Sequence, residues 1–289
     1  MRALLCRTLG DAGSLKIEEI EDPLPGPGEV VVDVHASGLN FPDTLIIAGK
    51  YQLRPDLPFV PGGDAAGVIS AIGEGVGDWR DGDRVILSGA YGAFAEKAAK
   101  KAEDIIALPD SMDFTTGAGF LATYGTSYYA LKHRAQLKAG ETLLVLGAAG
   151  GVGLAAVDIG AALGARVIAA ASSDEKLDLA CRAGAVERVN YTNEDLKERV
   201  KALTDGRGAD VVYDPVGGDL SEQALRATGW DGRFLVIGFA AGTIPKIPLN
   251  LCLLKNNSIV GVFYGAWLAR DPNAHAANVA ELFALFEEV

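Results

Sequence analysis

The stretch VLGAAGGVGLAAVDIG, residues 145–160, decides the fold of this chain. It runs from a short apolar segment through a group of glycines into a pattern with helical spacing. A strand, a glycine-rich turn and a helix in this order are typical of dinucleotide sites, because free N–H groups at the helix start favour phosphate oxygens. The motif is weak when it stands alone, so its meaning depends on the sequence around it.

The segments around this stretch alternate between strand and helix patterns. Six apolar segments predict strands, and helical patterns separate most of them. The predicted strands are TLLVLG (142–147), ARVIAAAS (165–172), VERVNY (186–191), ADVVYDPVG (209–217), GRFLVIG (232–238) and NSIVGVF (257–263). This alternation predicts an α/β domain with a Rossmann-type, doubly wound parallel sheet.

The glycine group fits the dinucleotide fingerprint G-x-G-x-x-G with one departure. Residues 148–153 read AAGGVG, so an alanine replaces the first glycine. Gly150 would let the backbone approach a pyrophosphate, and Gly153 would let the helix pack close to the sheet. Within six predicted strands we interpret the stretch as a nucleotide site; the alternative is an ordinary strand-to-helix turn.

The end of the second predicted strand favours NADPH over NADH. A site for NAD normally has Asp or Glu there to bind the ribose 2′-hydroxyl, whereas this strand ends in Ser172 and Ser173. Asp174 comes only in the first turn of the next helix, and Lys176 follows it. Hydroxyls and a lysine suit a 2′-phosphate. The alternative is that Ser172 or Ser173 caps the helix and Lys176 is solvated.

The first 120 residues have a different character. Short alternating segments, among them EVVVDVHASG (29–38) and GDAAGVISAIGEGV (63–76), are separated by Gly and Pro and predict a barrel-like all-β domain. The segment KAAKKAED (97–104) is the closest approach to a basic cluster, and we expect its lysines to form a solvated face.

Composition excludes several classes of protein. The chain has 289 residues and a net charge of −12, which argues against nucleic acid as a partner. It has no apolar run of the ~18 residues that span a bilayer, and no secretory signal pattern at its start. We therefore expect a cytoplasmic protein that does not bind membranes. Its three cysteines are far apart, which disfavours a disulfide framework.

In several of the segments above, the chain resembles the medium-chain dehydrogenase/reductase superfamily, and within it the zinc-free quinone oxidoreductase branch. The segments that carry the resemblance are GLNFPDTLIIAGKY (38–51), PFVPGGDAAGVISAIGEGV (58–76), LGAAGGVGLAA (146–156), VNYTNED (189–195) and VVYDPVGG (211–218).

The resemblance implies two domains. A GroES-like β-barrel catalytic domain would comprise residues 1–122 and 256–289, and a Rossmann NADP-binding domain residues 123–255. Relatives continue with a further helix and strand, so we expect the catalytic domain to be incomplete in this sequence.

The resemblance also implies chemistry without a metal. Zinc-dependent relatives hold the catalytic ion with Cys, His and Cys or Asp, where this sequence has Asn40, Gly63 and Ala122. Without zinc the expected reaction is hydride transfer from NADPH to a quinone or an α,β-unsaturated carbonyl. The alternatives are an enoyl-thioester reductase acting on CoA or a carrier, and a non-enzymatic NADPH-binding sensor.

By resemblance, the catalytic candidates are Asn40 and Tyr51, which would orient or protonate the acceptor oxygen. The alternatives are that Asn40 stabilises a turn, that Tyr51 packs in the core, and that Asp43 caps the helix after Asn40. The expected cofactor contacts are Asn40, Thr126, Gly150, Gly151, Val152, Ser172, Lys176, Tyr191, Phe239, Ala240 and Phe263. Such relatives commonly form homodimers, for which VGVFYGAWL (260–268) could provide an edge strand; the same residues could equally be buried core.

Overall fold

The computed structural model describes residues 1–288 of the chain, in two compact units. The first unit is Met1–Ala122, and the second begins at Thr123. Their architectures, an antiparallel β unit and a parallel α/β unit, are the GroES-like and Rossmann-like parts of the predicted fold class, which is confirmed.

The first unit consists of two antiparallel sheets and two short helices. A hairpin-like sheet pairs β1 with β2, and a five-stranded sheet has the order β6-β3-β4-β5-β7. The strands are β1 (Arg2–Leu5), β2 (Lys16–Glu19), β3 (Glu29–Gly38), β4 (Asp64–Ile72), β5 (Arg84–Ser88), β6 (Lys97–Lys101) and β7 (Ile105–Ala107). The helices are α1 (Phe41–Ile47) and α2 (Phe114–Phe120), with 3₁₀ turns at Ala12–Ser14 and Ala102–Asp104.

Alternation along the strands gives this unit its core. Val30 and Val32 of β3 are fully buried and belong to one apolar cluster with Ile69 of β4 and Leu87 of β5. Because side chains alternate across a strand, the intervening residues face the other side of the sheet. Strand β4 is held in register by β3 on one side and by β5 on the other.

The lysine-rich segment was predicted to be a solvated face, and this prediction was wrong for part of it. Residues Lys97–Lys101 form β6, which pairs with β3, and Ala98 between the lysines is buried. Lys97 makes ion pairs with Asp22 and Asp33. Lys100 is half-buried, and its Nζ donates to the carbonyl of Tyr91 at 2.8 Å.

The second unit is built on a six-stranded sheet in which every pair is parallel. Its order is β10-β9-β8-β11-β12-β13, the doubly wound order that reverses direction beside β8. The strands are β8 (Thr142–Leu146), β9 (Arg166–Ala171), β10 (Glu187–Asn190), β11 (Ala209–Asp214), β12 (Thr228–Val236) and β13 (Ser258–Gly261). All six predicted strands are confirmed.

Helices connect these strands. They are α3 (Thr126–Tyr128), α4 (Gly151–Ala162), α5 (Asp174–Arg182), α6 (Leu196–Leu203), α7 (Asp219–Ala227), α8 (Asn250–Leu253), α9 (Tyr264–Leu268) and α10 (Pro272–Glu287). Two π-helical segments, Leu121–Gly125 and Tyr129–Arg134, flank α3. Residues Leu144, Leu146, Ile168 and Val212 are completely buried in the centre of the sheet, as expected for strands covered on both faces.

The C-terminal part of the chain differs from its predicted assignment. We assigned residues 256–289 to the first domain, but Phe234 of β12 pairs with Ile259 of β13 within the six-stranded sheet. The described residues from 256 onward therefore belong to the second unit. The predicted edge segment 260–268 is only partly a strand, since β13 ends at Gly261 and α9 begins at Tyr264.

The last predicted helix is confirmed as α10. Its N-cap is Asp271, whose side chain accepts a hydrogen bond from the backbone of Ala274 at 3.1 Å. Pro272 occupies the first turn, where a missing N–H costs nothing. Among residues 1–288, no helix combines the length and the apolar character that crossing a bilayer requires.

Candidate functional site

The glycine turn between β8 and α4 is built for a close approach of backbone. Gly147 has a φ of +57°, a conformation that favours glycine. A Cβ on Gly153 would overlap the carbonyl oxygen of Gly147, so only glycine allows α4 to start this close to the strand end. The first glycine of the fingerprint makes the tight turn, and here Gly147, one residue before the alanine at 148, makes it. The spacing Gly147, Gly150, Gly153 was visible in the sequence.

Gly150 and Gly151 leave the N-terminus of α4 open. Gly150 is the N-cap of this 12-residue helix, and both glycines are exposed. The first N–H groups of a helix have no partner within it, and the helix dipole favours negative charge there. This end of α4 can therefore hold the phosphates of a nucleotide.

A buried pair of hydroxyls connects α3 to the glycine turn. The hydroxyl of Ser127 donates to the carbonyl of Val152 at 2.9 Å, and the hydroxyl of Tyr213 lies 2.8 Å from the same Ser127 Oγ. Because the Ser127 proton is used toward Val152, Tyr213 is the donor in the second bond. Burial raises the pKa of Tyr213, so that it stays protonated. The predicted contact Val152 is thus bonded to Ser127, the residue that follows the predicted contact Thr126.

The end of β9 gathers the residues predicted to bind a 2′-phosphate. Lys176 Nζ donates to Ser172 Oγ at 2.9 Å, and Tyr191 N donates to the carbonyl of Ala171 at 3.2 Å. Ser173, rather than Ser172, occupies the N-cap position of α5. The Ser172 hydroxyl is therefore not used as a helix cap, and Lys176 is exposed beside it.

Two residues near this cluster were missed from the sequence. The hydroxyl of Thr192 donates to the carbonyl of Ser172 at 3.0 Å. Asn190, which is 9% exposed, donates through Nδ2 to Asp174 at 3.2 Å. Asp174, the residue that directly follows Ser172 and Ser173, is therefore hydrogen-bonded to Asn190. Both missed residues belong to the segment VNYTNED, in which only Tyr191 was assigned to the cofactor site.

The expected cofactor contacts Phe239, Ala240 and Phe263 are not all in one environment. Phe239 is half-buried and lines a cavity of about 180 Å³ in the second unit. Ala240 and Phe263 are exposed and do not line it. The cavity wall is mostly apolar and consists of Asp214, Ser221, Leu225, Phe234, Val236, Phe239, Ile244, Pro245, Ile247 and Ile259.

In the first unit, Asn40 is held by two carboxylates. Its backbone N–H donates to Asp43 Oδ2 at 2.7 Å, and this bond caps the start of α1. Asp43 therefore has the capping role that was considered for it from the sequence. Its side-chain Nδ2 donates to Asp64 Oδ2 at 2.8 Å. The side chain of Asn40 therefore has a specific buried partner beyond the turn itself.

Asp64 was missed from the sequence, although it stands as a single acid among small and apolar residues in PGGDAAG. It is 3% exposed. Its pKa is raised to about 7, mainly by burial and also by the carboxylate of Asp43, while the hydrogen bond from Asn40 and the charge of Lys100 act in the opposite direction. Burial likewise lowers the pKa of Lys100.

Tyr51 packs against an apolar cluster. Its ring contacts the group formed by Cys6, Ile46, Ile47 and Phe59. Burial raises the pKa of its hydroxyl, which makes it a weaker acid. The position favours packing or the orientation of an acceptor over proton donation at neutral pH.

The residues at the zinc-ligand positions do not fit a zinc ion. The Asn40 amide already donates to Asp64. A Cβ on Gly63 would lie 2.7 Å from the carbonyl oxygen of Gly89, so the backbone there leaves no room for a ligating side chain. Ala122 has no donor atom. Over residues 1–288, no group of three or more His, Cys, Asp or Glu side chains is arranged to hold a metal.

Two family models match the chain. Residues 26–131 match the alcohol dehydrogenase GroES-like domain, and residues 151–284 match the zinc-binding dehydrogenase family.

Similar proteins agree with these matches. A quinone oxidoreductase-like protein 2 homolog of Nematostella vectensis is 41% identical over 99% of this chain and 78% of its own length. The crystal structure of a Pseudomonas syringae quinone oxidoreductase superposes with a TM-score of 0.93 at 34% identity, covering 99% of this chain and 88% of that one. An Escherichia coli quinone oxidoreductase complexed with NADPH gives a TM-score of 0.90 at 32% identity, covering 99% and 87%.

Proposed function

Since the chain belongs to the quinone oxidoreductase branch of the medium-chain dehydrogenase/reductase superfamily and is an NAD(P)H-dependent oxidoreductase, we propose that it uses NADPH to reduce a quinone or an α,β-unsaturated carbonyl without a metal. The observation that carries the proposal is the hydrogen bond from Asn40 to Asp64. Asn40 stands where zinc-dependent relatives have a zinc ligand, and its side chain donates to a carboxylate instead.

The cofactor half of the proposal rests on the second unit. The exposed N-terminus of α4 at Gly150 and Gly151 would bind the pyrophosphate. Lys176 and the hydroxyl of Ser172 would bind the 2′-phosphate, with Thr192 beside them. A lysine at this position attracts the additional phosphate of NADPH, which NADH lacks.

The reduction half rests on the first unit. Bound NADPH supplies the hydride, and the residues of the chain orient the acceptor and bind its developing negative charge. One N–H of Asn40 is used by Asp64; the amide has a second N–H with which it can donate to the acceptor oxygen. Tyr51 would orient the same oxygen, and water would supply the proton, because burial makes Tyr51 a weak acid.

A small panel of acceptors tests the proposal. Oxidation of NADPH would be followed with a quinone, a simple enone and an enoyl-CoA, and repeated with NADH. We expect turnover with the quinone or the enone and a preference for NADPH. Turnover with the enoyl-CoA alone would identify a thioester reductase, and NADPH binding without any turnover would identify a sensor. Stoichiometric zinc in the purified protein would contradict the metal-free chemistry.

We propose further that the chain forms a homodimer through the second unit. Strand β13 is at the edge of the six-stranded sheet, where a strand can pair with a strand of another copy. Ile259 on this edge is 41% exposed. Light scattering on the purified protein tests this: a dimer is expected, and a monomer that persists at high concentration would contradict it.

A further inference from the structure

A buried carboxylate lies directly behind Asn40, and the proposed reduction gives it no role. Asp64 is the first residue of β4, and its Oδ2 accepts the hydrogen bond from Asn40 Nδ2. Asn40, 24 residues before Asp64 in the sequence, ends the loop that precedes α1. The pairing of Gly38 with Asp64 between β3 and β4 brings the two side chains together.

Few charged groups act on Asp64. Its neighbours across the sheet are Gly38 on β3 and Ser88 on β5, which carry no charge. The carboxylate of Asp43, from α1, raises its pKa, and the ammonium group of Lys100, from β6, lowers it. Lys100 is itself held by the carbonyl of Tyr91. The immediate hydrogen-bond partner of the carboxylate is thus an amide rather than a cation.

The chemistry of this pair fixes the orientation of the amide. An ionised carboxylate can only accept hydrogen bonds, so it requires the Nδ2 end of Asn40 to face it. The Oδ1 end, on the other side of the planar amide group, then faces away from the carboxylate. A protonated carboxyl group, or an amide in its place, can donate as well as accept and would tolerate either orientation of Asn40.

We propose that Asp64 is a positioning residue whose ionised carboxylate anchors Nδ2 of Asn40 and thereby determines which edge of this amide the ligand meets. This inference rests on the proposed function, in which Asn40 hydrogen-bonds the acceptor. It assigns to the buried acid a role in catalysis that acts through Asn40 and requires no contact with the acceptor.

Protonation of Asp64 then weakens catalysis. Because burial raises its pKa to about 7, the anchored state becomes less populated as the pH falls below neutrality. We expect kcat to decrease on the acid side with a midpoint near this value, while the binding of NADPH, whose phosphates are proposed to bind in the second unit, changes little.

Kinetics of Asp64→Asn test the positioning role. The substitution conserves shape and removes the acceptor-only character. We expect kcat to fall about tenfold above pH 8, the KM for NADPH to stay within about twofold, and the acid limb of the kcat profile to disappear. Asp33→Asn is the matched control, since it removes a carboxylate from the adjacent strand that bonds Ser70 and Lys97, and it should keep the acid limb.

A spectroscopic measurement tests the same pair without turnover. The side-chain ¹⁵N–¹H resonances of Asn40, assigned through their loss in Asn40→Ala, are expected to shift with pH around a midpoint near 7 in the wild-type protein. They should not titrate in this way in Asp64→Asn. The wild-type titration needs no variant of Asp64, so it remains decisive if that variant fails to fold.

The outcomes separate the two proposals. Asn40 resonances that do not respond to pH, or an unchanged acid limb in Asp64→Asn, would overturn the positioning role and leave the proposed reductase intact. Absence of turnover with every acceptor would overturn the proposed function and, with it, the positioning role. A lower yield of folded Asp64→Asn with unaltered kinetics per folded molecule would show that Asp64 is only structural.

Discussion

The hydroxyl of Tyr213 lies 2.8 Å from Oγ of Ser127, and both side chains are completely inaccessible to solvent. Tyr213 is on the central strand β11, whereas Ser127 belongs to α3 and donates onward to Val152 in the first turn of α4. This short chain of hydrogen bonds connects the core of the sheet to the turn that is expected to hold the pyrophosphate.

The two hydroxyls should contribute unequally. Ser127→Ala leaves the Tyr213 hydroxyl buried without its acceptor, which costs about 1–3 kcal/mol of unfolding free energy. Tyr213→Phe leaves the bond from Ser127 to Val152 in place and should cost only about 0.5–1.5 kcal/mol. Denaturant unfolding measures both, and calorimetry should show a larger loss of NADPH affinity in Ser127→Ala. Equal effects of the two substitutions would contradict the proposed direction of the bonds.

Lys176 should determine the preference between the two nicotinamide cofactors. Loss of a charged hydrogen bond to the 2′-phosphate in Lys176→Ala should weaken NADPH binding about tenfold and leave NADH binding within about twofold. The difference should decrease at high salt, because the residue is exposed. The control is Lys197→Ala, which removes a lysine from α6 that pairs with Glu198. Equal losses for both cofactors would rule out the 2′-phosphate role.

The strands of the second unit could be predicted because their signal is local. Each central strand of a parallel sheet is buried on both faces and therefore reads as a continuous apolar run, as in TLLVLG. Strand β6 has no such run, since it contains three lysines and a single buried alanine. Its partner β3 lies more than 60 residues earlier in the chain. The sequence around residue 97 therefore does not predict that β6 pairs with β3.

The candidate site was predictable only where its residues are close in sequence. Ser172 and Lys176 are one helical turn apart, so a single short segment indicated both. The partnership of Asn40 and Asp64 instead depends on the register of β3 and β4, which no local pattern contains. The same is true of Thr192, whose contact with Ser172 arises where β9 and β10 end side by side.

Gly153 should tolerate no side chain. In Gly153→Ala the new Cβ would overlap the Gly147 carbonyl oxygen. The Cβ is fixed by the backbone of α4 and the oxygen belongs to the backbone of the turn, so neither can move aside cheaply. We expect a loss of about 1–3 kcal/mol in unfolding free energy together with a loss of NADPH affinity. Gly265→Ala in α9 is the control: its Cβ would meet open space, and alanine should gain about 0.5 kcal/mol in a helix. A neutral Gly153→Ala would refute the close approach.

Asp64 should make the stability of the wild-type protein depend on pH. Its pKa is about 7 in the folded state and 3.8 as an ordinary carboxyl, so the folded state binds the proton more tightly. The stabilisation by this proton is complete below the lower value and is lost as the pH rises through the upper one. Between pH 5 and pH 8 the wild-type protein should therefore lose about 2–3 kcal/mol of stability, a loss that Asp64→Asn, which cannot titrate, does not suffer.

The measurement is the difference in melting temperature between Asp64→Asn and the wild type at several pH values. This difference should move in favour of the variant as the pH rises from 5 to 8, whatever its sign at pH 5, because an ionised carboxylate enclosed by the sheet is replaced by a neutral amide. Asp33→Asn, in which the substituted side chain is 47% exposed, should show a difference that is constant with pH. A constant difference for Asp64→Asn as well would mean that Asp64 ionises in the folded protein as freely as it does in water, and the enclosure of its carboxylate would then have no energetic consequence.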